Sequence, residues 1–124
     1  MQGFAVGADG IGYGHHRVSS EVLRMDLELQ QVTAVGDFGE PAGGALAISP
    51  GGQVYALGED TVLRRFDPGT SQATEIGSTF LWGNGGMDFT ADGRLFVLMF
   101  TGQLFELDPQ TGMIDQVSYV DGLE

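Results

Sequence analysis

The chain has 124 residues and a mass of 13.1 kDa, the size of one ordinary domain, and its 42% hydrophobic content supplies a core and excludes disorder. Its 17 acidic residues against 5 arginines give a net charge of −12, which excludes the basic patch that nucleic acids and anionic membrane surfaces require. Cysteine is absent, so disulfide and thiolate chemistry are excluded, and no run of 18 apolar residues is present to span a bilayer.

In chain order, the first strand is expected at Phe4-Ala5-Val6, followed by a tight turn at Ala8-Asp9-Gly10 and a second strand from Ile11 to Gly14. A loop with Gly14-His15-His16-Arg17 leads to a third strand, Val22 to Met25. The turn Asp26-Leu27-Glu28-Leu29 lacks proline and reads as degraded or as continuing strand, before a fourth strand from Val32 to Val35. After the loop Asp37 to Gly44 the pattern restarts: strands Leu46-Ala47-Ile48, Val54 to Leu57, Leu63 to Phe66 and Ala73 to Ile76, with turns Pro50-Gly51-Gly52 and Asp67-Pro68-Gly69-Thr70. After Thr79 to Gly86 it runs a third time: Met87-Asp88-Phe89, Leu95 to Leu98, Leu104 to Leu107 and Ile114 to Val117, with turns Ala91-Asp92-Gly93 and Asp108-Pro109-Gln110-Thr111-Gly112. The last glycine of each first turn suits a positive φ, and Asp-Pro favours a turn because Asp bonds its own backbone two residues on. The strands are rich in β-branched and aromatic residues, and no segment shows a capped helical period.

Asp26, Asp67 and Asp108 recur every 41 residues, and the four-strand frame recurs with them. A period of about 40–45 residues made of four short strands resembles the β-propeller blade. The resemblance, to the broad company of NHL, SMP-30-like and WD40-like repeats, is carried by Leu46 to Leu57 with Phe66 to Thr70, and by Phe89 to Leu98 with Leu107 to Gly112. It implies an all-β fold of three four-stranded antiparallel blades, about residues 3–44, 45–85 and 86–124. The Gly-His and Trp-Asp signatures of WD40 proper are missing from their places.

Propellers close with about four to eight blades, so three leave an apolar face open at each end. The expected partner is a second copy, with blade three of one chain meeting blade one of the other to complete a six-bladed ring. A fragment of a longer propeller is the competing reading. The start Met1-Gln2-Gly3-Phe4 has no signal-peptide pattern, which makes the cytoplasm the default, and a mature secreted fragment would read the same.

By resemblance, propellers bind at the end of the blades formed by the loops between strands two and three and between blades. Those loops hold the candidate ligand-binding residues His15, His16, Glu40, Trp82 and Asn84, and the inner strand of blade three adds Asp88. Trp82, the single tryptophan, suits stacking on a sugar or another flat ligand, or a hydrophobic plug or interface anchor. Asn84 is a ligand-facing amide or a turn residue. Adjacent histidines in a strand point to opposite faces, so His15 and His16 read as a solvated loop pair in preference to a metal site. Asp88 stands where the other blades have Ala5 and Ala47, and a carboxylate buried there needs partners or a raised pKa. No catalytic residue, cofactor or confident metal site is expected. The leading reading is a non-enzymatic, self-assembling module presenting a face to protein or small ligand. The alternatives are an SMP-30-like hydrolase or lactonase using a divalent cation on Glu40, Asn84 and Asp88, and a lectin-like binder using Trp82 and Asn84.

Overall fold

The computed structural model describes residues 3–7, 9–15, 20–38, 44–58, 60–82 and 84–119. They form twelve strands: β1 (Gly3–Val6), β2 (Ile11–His15), β3 (Glu21–Asp26), β4 (Gln31–Asp37), β5 (Ala45–Ile48), β6 (Val54–Leu57), β7 (Val62–Asp67), β8 (Gln72–Ser78), β9 (Asn84–Phe89), β10 (Leu95–Met99), β11 (Gln103–Leu107) and β12 (Ile114–Tyr119). Each successive four make one antiparallel sheet in chain order. Every expected strand is present, most of them longer by a residue or more. β9 begins at Asn84, so Asn84, Gly85 and Gly86 are strand where a loop was expected. No helix among the described residues is long and apolar enough to cross a membrane.

The turns explain the repeat. Gly10, Gly52 and Gly93 have φ of 79°, 85° and 90°, the left-handed region where a side chain is costly. Each donates its amide to the carbonyl three residues earlier, Gly7, Ser49 and Thr90 respectively, at 2.9–3.1 Å. In the turn between the third and fourth strands, an Asp carboxylate does the work. Asp67 accepts from the Gly69 amide at 2.9 Å and Asp108 from the Gln110 amide at 2.8 Å. Asp26 accepts from Glu28 and Leu29 at 3.1 and 3.0 Å, so the first such turn is formed rather than degraded: the carboxylate orders it without proline.

Register makes positions equivalent across the sheets. Tyr13 pairs with Arg24, Tyr55 with Arg65, and Phe96 with Glu106. Side chains alternate faces along a strand, so each sheet has a leading face towards the preceding sheet and a trailing face towards the next. The trailing face of the first sheet (Tyr13, Val22) packs on the leading face of the second (Leu46, Val54, Ala56, Phe66). The trailing face of the second (Ala47, Tyr55, Leu57, Leu63) packs on the leading face of the third (Leu95, Val97, Phe105, Leu107). The core is thus two seams, and the inner strand β5 is flanked by β1 and β9.

Candidate binding face

The described parts of the turns between second and third strands and of the connections between sheets, among them Ser20, Phe38, Thr61 and residues 79–82, lie at one end of the strands. There the Thr79 amide and hydroxyl both donate to the Thr61 carbonyl at 2.8 Å. The corresponding bond in the first sheet runs from the Phe38 amide to Ser20 O at 3.1 Å. The Leu81 amide donates to Thr79 Oγ1 at 3.2 Å and the Phe80 amide to Ser78 Oγ at 3.3 Å. Thr79 and Leu81 are buried, Leu81 within the seam between the second and third sheets. Anchored on both sides, Phe80 sits at φ 59° and its ring is 80% exposed, with Trp82 72% exposed two residues on. A left-handed conformation is uncommon for any residue with a side chain and an outlier for a bulky one. Phe100, in the β10–β11 turn, is 81% exposed, and a Cβ built on Gly85 would lie 3.3 Å from its ring, which places that ring over the start of β9. Trp82 therefore stands out from the surface and is not packed as a plug within this chain.

His15 ends β2 and is fully buried, not part of a solvated loop. Its Nε2 lies 3.4 Å from the Gly44 carbonyl, its Nδ1 has no hydrogen-bond partner, and Phe38 meets it edge-on at 6.2 Å. Burial holds its pKa below the ordinary histidine value, outweighing the Gly44 carbonyl. His16 and Glu40 lie outside the described residues. Asn84 and Asp88 stand near opposite ends of β9, Asn84 opposite Met99 and Asp88 opposite Phe96. Asp88 is exposed, not buried, because no sheet among the described residues covers the trailing face of the third; its Oδ1 accepts from the Phe89 amide at 2.8 Å. Among the described residues, no three His, Asp or Glu side chains are grouped to hold a metal.

Asp88 also borders the larger cavity, about 570 Å³, at the other end of the strands, where Tyr13, Ser49 and Thr90 join it. A second space of about 260 Å³ lies along the inner strands between Phe4, Val6, Ile48 and Met87.

Arg64 was not legible as a special residue. It is 4% exposed and faces the first sheet, where it forms a two-pronged ion pair with Asp60 at 2.7 and 3.1 Å. Gly58 makes room for the pair, since a Cβ there would lie 2.5 Å from Asp60 Oδ1. Nor did Phe80 and Phe100 stand out singly. The signal for Phe80 was its place in Phe80-Leu81-Trp82, three large apolar residues inside a glycine-rich connection.

No protein-family profile and no curated protein matches the chain. Solved structures do. Hydrazine synthase of Kuenenia stuttgartiensis superposes with a TM-score of 0.74 at 16% identity over 97% of this chain and 36% of its own. A protein of unknown function from Bacteroides thetaiotaomicron gives 0.76 at 18% identity, over 94% of this chain and 32% of its own. Virginiamycin B lyase from Staphylococcus aureus gives 0.67 at 9% identity, over 95% of this chain and 40% of its own. The fold is that of a β-propeller, and this chain supplies three blades. It spans between about a third and two fifths of the length of these three relatives, and at such identities the likeness is one of fold alone.

Proposed function

We propose that the chain is a binding module: three blades that pair with a second copy into a six-bladed ring and offer the end bearing Phe80, Trp82 and Phe100 to a ligand, with no chemistry of its own. The observation that carries the binding face is the backbone of Phe80. A left-handed conformation costs on the order of 1 kcal/mol or more for a residue with a side chain, and here it turns a phenyl ring into water between two buried anchors. Folding stability gains nothing from that exposure, whereas recognition does, because rigid aromatic rings contribute large contact area with little side-chain entropy to lose.

The lectin-like reading draws on the same feature, since the exposed Trp82 indole presents a flat apolar surface to a sugar ring. Titrating the chain with mono- and oligosaccharides while following Trp82 fluorescence tests it directly, because no other tryptophan contributes. A saturable change abolished by Phe80→Ser assigns the face to carbohydrate. A flat response removes the sugar reading. A parallel screen of immobilised peptides then tests the protein-binding one, and failure of both overturns the binding-module proposal.

A further inference from the structure

The unpartnered faces of blades one and three form a matched, head-to-tail pair, and we infer that the partner each receives is the other face on a second copy of this chain. The inference rests on the ring reading above and specifies its contact.

Register identifies both faces. On trailing faces, Tyr13, Tyr55 and Phe96 are equivalent, as are His15, Leu57 and Leu98, and Val22, Leu63 and Leu104. The members in blades one and two are buried in seams, whereas in blade three Leu98 is 41% exposed and Phe96 and Leu104 are only half-buried. On leading faces, Phe4, Leu46 and Met87 are equivalent, as are Val6, Ile48 and Phe89, and Met25, Phe66 and Leu107. Phe66 and Leu107 are buried, yet Phe4 and Val6 are each 47% exposed and Met25 is half-buried. The chain therefore exposes one complete seam, cut in two.

The halves fit in size. The leading faces of blades two and three offer Val54 and Ala56, then Leu95 and Val97, to the preceding blade; blade one offers Gly12 and Gly14 at those positions. The Phe4 ring occupies the vacated space, 2.9 Å from where a Gly12 Cβ would be. The Phe4 ring, lying over the glycines, is thus the surface that meets the bulky Phe96 and Leu98 of the incoming blade. Of the charges on the incoming face, Arg94 and Glu106 pair at 2.8 Å, with Arg94 over the Phe96 ring at 5.0 Å, while Asp88, opposite Phe96, enters the contact held by the Phe89 amide. Such a contact joins unlike surfaces and ends in a ring only if the rotation closes. The inner strands of all three blades, β1, β5 and β9, line one shared space.

Sizing with light scattering on three chains tests it: the wild type, Leu98→Asp and Val6→Asp, with circular dichroism to confirm folding and Leu98→Lys and Phe4→Lys as second variants for any that fail to fold. The expected result is a dimeric wild type, each single variant with a dissociation constant raised at least tenfold, and a 1:1 heterodimer from mixing Leu98→Asp with Val6→Asp, since that mixture retains one intact seam. A Leu98→Asp chain that dimerises as well as wild type, or a mixture that stays monomeric, overturns the head-to-tail contact while leaving a ring built otherwise. A monomeric wild type overturns the ring itself.

Discussion

Gly36 lies beneath the ring of Phe66: a Cβ on Gly36 would stand 2.6 Å from Cε2 and 2.8 Å from Cζ. The next seam repeats the arrangement with backbone in place of a ring, since a Cβ on the equivalent Gly77 would stand 2.6 Å from the Thr111 carbonyl oxygen. In each case the outer strand of one blade is bare where the following blade presses on it. Gly36→Ala and Gly77→Ala are therefore expected to lower unfolding free energy by about 1–3 kcal/mol each through overpacking. Gly77→Ala is the costlier, because a carbonyl held in a turn yields less than a ring. Urea denaturation midpoints at constant m-value check both.

His15 is expected to make the fold acid-sensitive. Burial depresses its folded-state pKa below 6.5, so the unfolded chain takes up a proton that the folded one refuses. The stability it contributes is complete above about pH 6.5 and declines as pH falls from there to the folded-state value. His15→Leu, which installs the residue found at Leu57 and Leu98, should flatten stability below about pH 6.5 relative to wild type and gain about 1 kcal/mol at neutral pH by removing the unpartnered Nδ1. Thermal melts of both chains across that range would show the curves converging with rising pH; parallel curves would disprove it.

Asp60→Asn should cost about 1–3 kcal/mol, since it removes the carboxylate from a guanidinium buried in the first seam. The Arg64 hydrogen bonds hold the Asp60 carboxyl below its ordinary pKa of 3.8. Its contribution is thus present above that value and disappears as pH falls through the folded-state pKa. Acid titration of stability should be shallower for Asp60→Asn than for wild type below about pH 4.

Phe80→Asn is expected to leave stability unchanged or raise it by about 0.5 kcal/mol, because Asn tolerates the left-handed region and the lost ring was exposed. Ligand binding at this face should fall at least tenfold in the same variant. Destabilisation beyond about 1 kcal/mol would mean that the ring packs, and that its exposure serves no recognition.

The sequence displays the fold because each structural device leaves a mark at a fixed spacing. Gly52 and Gly93 mark hairpins, Asp67 and Asp108 mark turns, and alternating apolar residues mark faces. Blade one was harder to read, since Asp26 organises its turn without proline. The binding end was legible only as a region. Whether His15 is buried depends on Phe38 and Gly44, distant in sequence, and whether Asp88 is exposed depends on a blade absent from its side. The conformation of Phe80 was not legible, because a left-handed φ on an aromatic residue has no local sequence signal; it follows from the hydrogen bonds of Ser78 and Thr79 on one side and the burial of Leu81 on the other.

The most direct test is the molar mass of the wild-type chain in dilute solution, by sizing chromatography with light scattering. Two open faces that match each other predict a single species at twice the 13.1 kDa chain mass, holding that value on dilution through the micromolar range. A stable, well-folded monomer at 13.1 kDa would contradict the ring, because it would show that the open faces of blades one and three need no cover from a second copy.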